Sequence, residues 1–425
     1  MRGAMWLFDR FLRRAIRTAS LTVTDADGRR YIYGSPASPV REPPIAIRLT
    51  DRRAAGHIAR YPSVGAGEAY MRGWLEVEPP HDIRDLVLMI AAEARANGAT
   101  MAPAGRLRRT ADAVAAWADQ SNHRLRARRN VAHHYELGRE FYELFLDADR
   151  QYTMAWFANP DATLEQAQRE KQALIAAKLH LPADARGLRV LDIGCGWGGL
   201  GLFLHRHYGC EVLGISLAPD QIAVANARAA EAGCADSVRF EVRDYRDLEG
   251  RFDRITSVGM IEHVGARRFG EYFDRTRRLL AEDGVMLTHT IGRTGGPGLT
   301  DKWTRKYIFP GGYIPAMSEL VEAIERTGWQ LGDIEILRFH YALTLAEWYR
   351  RATANGEAIA RLHDRQLLRM WQFYLAGAEQ AFRNGSMVNF HLQTVKRQST
   401  LPMTRDYIAV EMRRLLEREA AIEAA

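Results

Sequence analysis

Cysteine is scarce in this chain of 425 residues, which contains only Cys195, Cys210 and Cys234. So few thiols argue against a disulfide framework and against a zinc site. Long hydrophobic runs are absent too, because no stretch approaches the ~18 uninterrupted apolar residues of a membrane-spanning helix. The N-terminal segment also lacks the continuous apolar core of a secretory signal. We therefore expect a reduced, cytoplasmic protein without a metal site.

Lysine is also rare, with five Lys beside 54 Arg, and the positive charge is unevenly distributed. Residues 1–130 contain 22 Arg and 13 acidic residues, whereas the remainder contains 37 basic and 39 acidic residues. The excess of basic residues is therefore confined to the N-terminal third. It indicates either a surface that meets phosphate groups or an Arg-rich face that contacts only water.

Residues 5–18 are predicted to form an amphipathic helix. The apolar side chains on one face are Phe8, Phe11, Leu12, Ala15 and Ile16. The arginines, mostly on the other face, are Arg10, Arg13, Arg14 and Arg17. This pattern is typical of a helix that lies on anionic lipid headgroups. The alternative is a helix that packs on its own domain with its arginines in water.

The N-terminal third is predicted to be a small domain of its own. It contains a predicted hairpin, a strand and a helix at 21–34, 43–50 and 82–96. We therefore predict an α+β domain that associates with lipid at residues 1–97. A stretch rich in Gly, Ala, Pro and Arg indicates a linker at 98–130. Residues 131–425 are then expected to form the catalytic domain.

From about residue 185 the chain alternates between predicted strands and helices. The strands are predicted at 189–194, 210–216, 237–245, 252–260 and 284–292. Helical segments separate them, notably 219–232 and 267–281. This alternation predicts an α/β fold with a doubly wound, Rossmann-like parallel sheet that has helices on both faces. A later strand at 387–395 is expected to close the sheet.

The segment RVLDIGCGWGGLGLFL (189–204) predicts a cofactor loop. A buried strand ends at Asp192, and Gly194, Gly196 and Gly198 form a turn in which the backbone approaches a ligand without intervening Cβ atoms. Gly194, Gly196 and Gly199 also match the G-x-G-x-x-G pattern of dinucleotide sites. Cys195 is interpreted as a small buried residue without chemistry.

Two features favour S-adenosylmethionine over a dinucleotide in this loop. Asp192 stands two residues before the first glycine, which is common in methyltransferases. A dinucleotide fold expects an acidic residue roughly 20 positions further on, but the second strand ends in Ile215-Ser216-Leu217. In addition, RDYRDL (243–248) places polar groups at the end of the third strand, where an adenine amino group would lie.

Six separated motifs occur in order along the chain. They are GEAYMRGWLEVE (67–78), HHYELGREFYELFLD (133–147), VLDIGCGWGG (190–199), SVGMIEHVG (257–265), LTHTIG (287–292) and KYIFPGGYIP (306–315). Together they resemble the cyclopropane-fatty-acyl-phospholipid synthases, and the resemblance covers most of the chain. It implies transfer of a methylene group from S-adenosylmethionine to the cis double bond of an unsaturated acyl chain in a membrane phospholipid, which forms a cyclopropane ring.

The resemblance also implies a set of site residues. A bicarbonate would act as the base, held by Glu262, His289, Tyr341 and the backbone of Ile291. His263, adjacent to Glu262, is expected to point to the opposite side. The cofactor contacts predicted from the loop and the resemblance together are Tyr152, Thr153, Asp192, Gly194, Cys195, Gly196, Gly198, Ser216, Gln221, Asp244 and Tyr245. Glu262 and His289 follow the fourth and fifth strands, at the edge where open α/β sheets bind ligands.

Two positions depart from the family's pattern. Met154 and Ala378 stand where the family commonly has cysteines, the first of them beside the base. A bulkier thioether at Met154 could displace bicarbonate and lead to a methyl-branched or methylene product. The remaining alternatives are a non-catalytic lipid-binding protein and a small-molecule methyltransferase. We expect peripheral association with the inner face of a bilayer that contains unsaturated acyl chains, no nucleic acid partner, and a homodimer on family resemblance only.

Overall fold

The computed structural model describes residues 2–35, 44–97 and 137–424. The predicted linker at 98–130 and the first four residues of HHYELGREFYELFLD lie outside these ranges. The described residues form two compact units. The first comprises 2–35, 44–97, 301–308 and 345–385, and the second comprises 137–300, 309–344 and 386–424. The predicted domains, divided by chain order alone, differ from these units in the segments 301–308 and 345–385.

Fifteen α-helices occur within the described ranges. They are α1 (Arg2–Ala15), α2 (Arg53–Arg60), α3 (Pro62–Met71), α4 (Ile83–Ala96), α5 (Arg139–Glu143), α6 (Leu164–Leu179), α7 (Gly199–Tyr208), α8 (Pro219–Glu231), α9 (Phe269–Leu279), α10 (Lys302–Tyr307), α11 (Met317–Arg326), α12 (His340–Ala354), α13 (Gly356–Leu362), α14 (Arg365–Arg383) and α15 (Asp406–Glu423).

The first unit contains a four-stranded sheet. Its strands are β1 (Ser20–Thr24), β2 (Arg30–Gly34), β3 (Ile45–Leu49) and β4 (Leu75–Val77), in the order β2-β1-β3-β4. β1 and β2 form the predicted antiparallel hairpin, and β3 runs parallel to β1. β4 pairs antiparallel with β3 and has no counterpart in the sequence prediction, because three residues are too few to show an alternating pattern.

The apolar face of α1 is buried within the first unit. Phe8, Leu12 and Ala15 are all nearly inaccessible to water. The alternative prediction is therefore the one observed, since the helix packs on its own unit and this stripe is covered. At the start of the helix, however, Trp6 is 56% exposed and Leu7 is 52% exposed.

The second unit is built on a seven-stranded sheet. Its strands are β5 (Arg189–Ile193), β6 (Glu211–Ser216), β7 (Val238–Val242), β8 (Phe252–Val258), β9 (Leu280–Arg293), β10 (Gln330–Leu337) and β11 (Met387–Val395). The order is β10-β11-β9-β8-β5-β6-β7, with neighbours parallel from β9 to β7 and β11 antiparallel to both β9 and β10. The predicted Rossmann-like α/β fold is confirmed. β11 lies inside the sheet, because the unpredicted strand β10 covers its outer edge.

Alternate residues of the central strands pack on opposite faces of this sheet, as the period of two requires. Leu191 and Ile255 belong to a core that includes Phe273 of α9. Val190 and Leu287 belong to a second core that includes Ile175 of α6. Both faces are therefore covered by helices, and the carboxyl ends of the parallel strands meet at one edge of the sheet.

Candidate active site

The loop between β5 and α7 adopts backbone conformations that favour glycine. Gly194, Gly196 and Gly198 have φ values of 84°, 53° and 82°. A Cβ atom on Gly198 would lie 2.8 Å from the side chains of Ala225 and Phe240, whereas one on Gly196 would face open space. Gly198 is thus required by packing, and Gly196 leaves room for a ligand beside the backbone.

A cavity lies at the carboxyl ends of the parallel strands, next to this loop. Of the predicted cofactor residues, all except Gly198 line it: Tyr152, Thr153, Asp192, Gly194, Cys195, Gly196, Ser216, Gln221, Asp244 and Tyr245. His263 lines it as well and Glu262 does not, so the expectation that these two side chains point to opposite sides stays a prediction. The cavity therefore brings together residues separated by more than 90 positions in the chain.

Two carboxylates of the cavity differ in their surroundings. Burial raises the pKa of Asp192 to about 7, although the positive charge of Lys171 opposes the shift. Asp244 instead forms an ion pair with Arg246, whose Nη2 lies 2.6 Å from Asp244 Oδ2. Ser216 Oγ donates to Gln221 Oε1 at 3.4 Å. Polar groups thus flank the glycine loop at the ends of three neighbouring strands.

Lys171 of α6 is a cavity residue that the sequence analysis missed. Its Nζ donates to Gln151 Oε1 at 2.6 Å and to Thr153 Oγ1 at 2.9 Å. Burial lowers its pKa to about 8, against the opposing effect of nearby carboxylates that include Asp192. The sequence held no clear signal for it, because the buried residues of α6 also include Gln168, Gln172 and Lys178.

Asp149 connects the segment before Thr153 to the glycine loop. Its Oδ2 accepts from Gln151 Nε2 at 2.8 Å and from Gln172 Nε2 at 2.6 Å. Its Oδ1 pairs with Arg228 of α8, and Arg228 also donates to the carbonyl oxygen of Trp197 at 2.7 Å. These contacts hold one wall of the cavity at a defined position relative to the loop.

Glu262 lies in a 3-10 turn, Ile261–His263, that follows β8. Its Oε1 accepts a hydrogen bond of 2.6 Å from the backbone N–H of Ile291 in β9. Its Oε2 is buried and has no hydrogen-bond partner among the described residues. Burial raises the pKa of Glu262 to about 7, in spite of that hydrogen bond. A carboxyl group with one oxygen engaged and one oxygen available is therefore held at the end of β8.

His289 precedes Ile291 by two residues in β9. Its Nδ1 lies 2.8 Å from Nε2 of His391 in β11, and its Nε2 lies 3.3 Å from Nδ2 of Asn389. Burial lowers the pKa of His289 to about 3, and the charges of Lys171 and Lys178 act in the same direction. The ring is therefore neutral at physiological pH and carries one transferable proton.

Tyr341 is buried in the first turn of α12. The residues around it bond to the segment that contains Met154, since His340 Nδ1 accepts from Phe157 N and Thr344 Oγ1 accepts from Ala155 N, both at 3.0 Å. The structure thus joins Glu262 directly to Ile291 and places His289 on the same strand. It places Tyr341 on α12, whose first turn bonds to residues 155–157 through His340 and Thr344.

The fold and the glycine-loop cavity define the class, which is that of the S-adenosylmethionine-dependent methyltransferases. Residues 122–392 match the family model described as mycolic acid cyclopropane synthetase. The chain belongs to this family. The protein is therefore an enzyme of the cyclopropane synthase type.

Individual relatives agree with this assignment. The cyclopropane-fatty-acyl-phospholipid synthase of Escherichia coli (strain K12) is 33% identical over 80% of this chain and 85% of its own length. The tuberculostearic acid methyltransferase UfaA1 of Mycobacterium tuberculosis is 32% identical over 89% of this chain and 88% of its own length. The solved cyclopropane synthase MmaA2 from Mycobacterium tuberculosis has a TM-score of 0.60 at 31% identity, covering 63% of this chain and 97% of that one.

Proposed function

We propose that this enzyme transfers a methylene group from S-adenosylmethionine to the cis double bond of an unsaturated acyl chain in a membrane phospholipid. One observation supports the proposal above others. Glu262 has one buried oxygen without a hydrogen-bond partner among the described residues, and its other oxygen bonds to Ile291, two residues after His289 in β9. The named substrate of the relative from Escherichia coli supports a phospholipid, and that relative aligns along most of both chains.

The cavity residues fit S-adenosylmethionine. Gly196 leaves open space beside a backbone that a larger residue would strain, Gln221 and Ser216 offer polar atoms at the end of β6, and Asp244 and Tyr245 lie at the end of β7. The bound cofactor would supply an electrophilic methyl group. The chain's own contribution is to orient that group, to exclude water and to place negative charge where a cation develops in the acyl chain.

The Glu262 site fits a small hydrogen-bonding anion such as bicarbonate. The free Oε2 of Glu262 can accept from a hydroxyl group, and a neutral His289 can donate one proton to an oxyanion. Bicarbonate would supply the base that removes a proton from the transferred methyl group. We propose Glu262, His289, Tyr341 and the backbone of Ile291 as the residues that hold it, although in the structure Glu262 itself accepts from that backbone N–H.

A methyl-branched or methylene product is the second candidate outcome. Met154 is completely buried, so its thioether packs among protein atoms and does not contact water. Relatives of nearly equal identity include both a cyclopropane synthase and a tuberculostearic acid methyltransferase. The two outcomes differ in whether a ring closes after methyl transfer, and we propose that Met154 influences this step.

Mass spectrometry of lipids from a host rich in monounsaturated phospholipid tests the function. Expression of the protein should give acyl chains heavier by one CH₂, and Glu262→Gln should abolish most of this gain. Ozonolysis then separates the products, because it cleaves a methyl-branched or methylene alkene and leaves a cyclopropane intact. The absence of any new acyl species with saturating S-adenosylmethionine would contradict the proposal. Methylation confined to added small-molecule amines would favour the alternative methyltransferase.

Peripheral binding to anionic membranes is part of the proposal. No helix in the described ranges is long and apolar enough to cross a bilayer. Exposed Trp6 and Leu7 stand at the start of α1, and the guanidinium of Arg10 lies 5.4 Å from the Trp6 ring centre. Apolar tips beside basic groups suit the interface of an anionic leaflet, where each basic group contributes on the order of 1 kcal/mol.

A pair of variants tests this surface without removing α1. Trp6→Ala combined with Leu7→Ser should weaken binding to vesicles of phosphatidylglycerol, and binding by the unmodified protein should weaken as salt rises. Met403→Ala, at a highly exposed apolar position of the second unit, is the control. Unchanged vesicle binding by the double variant would show that these side chains do not contact the membrane.

A further inference from the structure

His391 occupies the position directly opposite His289 in the antiparallel pairing of β9 and β11. The two rings are both fully buried, and Nδ1 of His289 lies 2.8 Å from Nε2 of His391. Burial lowers the pKa of each ring, and nearby lysines act in the same direction. The pair is therefore neutral, and the contact between the rings contains a single proton.

The surroundings of His391 indicate which ring donates that proton. Nδ1 of His391 is buried and has no hydrogen-bond partner among the described residues. If His289 Nδ1 donated to His391 Nε2, the neutral His391 would be protonated on Nδ1. That N–H group would then be buried without an acceptor. Buried N–H groups without an acceptor are rarer than acceptors without a donor. Donation from His391 Nε2 to His289 Nδ1 avoids that arrangement.

We propose that His391 is a positioning residue that holds His289 as the tautomer protonated on Nε2, so that His289 offers a donor to an anionic group at the Glu262 site. The donation to an anion rests on the proposed function, whereas the tautomer of His289 does not depend on it. A neutral imidazole donates from only one nitrogen, so the partner of the other nitrogen decides what it can bind.

Asn389 can accept from this tautomer once its side-chain amide is rotated. Its side-chain amide lies 3.3 Å from His289 Nε2, and its Oδ1 has no hydrogen-bond partner among the described residues. The oxygen and nitrogen of an amide exchange places by a simple rotation. Rotation of this amide would let Asn389 Oδ1 accept from His289 Nε2–H. A bound anion would then replace Asn389 as the acceptor of this hydrogen bond.

Nitrogen NMR of histidine-labelled full-length protein tests the tautomer directly. His289→Gln assigns the signals of that ring. In the unmodified protein we expect His289 protonated on Nε2, and in His391→Phe we expect a population protonated on Nδ1. His391→Gln should restore the original tautomer, because its amide can donate to His289 Nδ1. Leu392→Ala, a buried neighbour on β11, is the control for loss of packing and should leave the tautomer unchanged.

Kinetics complete the test. His391→Phe should lower kcat by about 10- to 100-fold, the loss that follows when the hydrogen-bond partner of a metal-ligating histidine is removed, and should leave the Kd of S-adenosylmethionine within about twofold. His391→Gln should recover much of the loss. An unchanged His289 tautomer in His391→Phe would overturn the proposal, as would an altered tautomer with unchanged kcat. An unmodified protein that is inactive on lipids would contradict the proposed function alone, since the tautomer would still be measured.

Discussion

The ammonium group of Lys171 lies 2.9 Å from Thr153 Oγ1. Through this contact α6 reaches the segment that forms one wall of the glycine-loop cavity. Lys171 is also the positive charge that opposes the upward pKa shift of Asp192. The cavity is therefore shaped by a buried cation as well as by the glycine loop.

Replacement of this cation should weaken cofactor binding. In Lys171→Met the hydrogen bonds to Gln151 and Thr153 are lost, and the pKa of Asp192 should rise further. Loss of a charge-assisted hydrogen bond costs about 1.5–3 kcal/mol, so the Kd of S-adenosylmethionine should increase by about 10- to 100-fold. Calorimetric titration measures it, with Arg239→Met at an exposed position of β7 as the control. Equal affinity in the two variants would exclude a role for Lys171 in the cavity.

Two glycines provide a matched test of the loop. Gly196 and Gly233 both have positive φ, and a Cβ on either would meet no atom within 4 Å. Alanine at each should therefore cost a similar backbone strain of about 1–2 kcal/mol. Only Gly196 lines the cavity, so Gly196→Ala should lower the affinity for S-adenosylmethionine at least tenfold, and Gly233→Ala should not. A similar loss in both variants would attribute the effect to strain.

Glu262→Gln should reduce turnover and leave cofactor binding nearly intact. The substitution keeps the size of the side chain and removes its ability to become an anion beside the reacting centre. Removal of such a group typically costs about 100-fold or more in rate. Turnover of lipid and calorimetric binding of S-adenosylmethionine should be compared, with Glu231→Gln on the exposed end of α8 as the control. Near-normal turnover in Glu262→Gln would mean that the base is held elsewhere.

The same variant should change how stability depends on pH. The pKa of Glu262 is raised from 4.5 to about 7. Between these pH values the folded protein therefore holds a proton on Glu262 that the unfolded chain has lost. Stability from this group is present below pH 4.5 and is lost as the pH rises through 7. Glu262→Gln should match the unmodified protein at pH 4 and exceed it at pH 8, by on the order of 3 kcal/mol. Denaturant titration at the two pH values measures the free energy of unfolding of both proteins. The same change with pH in both proteins would contradict the burial of an ionisable Glu262.

Glu93 of α4 should be essential for the turn that follows α1. Its carboxylate accepts from Thr18 Oγ1 and from the backbone N–H groups of Arg17, Thr18 and Ala19. Burial raises the pKa of Glu93, but these donors outweigh it and hold the value at about 2. The stabilisation is therefore present above pH 4.5 and is lost as the pH falls through 2.

Hydrogen exchange checks this contribution locally. In Glu93→Gln the amides of residues 17–19 should exchange faster at pH 7, because a neutral amide accepts more weakly than a carboxylate. Glu78→Gln, in a partly exposed pair with Arg48, is the control. Unchanged exchange in Glu93→Gln would show that the backbone of this turn is held by other contacts.

The sequence by itself determined the parallel strands of the second unit and most of the cofactor cavity. These features are local, because the strand and the glycine turn that follows it are specified by neighbouring residues of one segment. The place of Asp192, Gly194 and Gly196 in the cavity could therefore be predicted from one segment. Glu262 and His289 follow from the family resemblance, and their roles stay predictions.

Only the tertiary structure decided which segments meet across long distances in the chain. The burial of Lys171, the pairing of His289 with His391 about 100 residues away, and the position of β11 between β9 and β10 all depend on contacts that no local pattern specifies. The same holds for α1, whose amphipathic pattern suits a membrane surface and a protein core equally well. Its apolar face is buried because the first unit offers it a complementary apolar surface, and hydrophobic burial does not depend on direction or sequence distance.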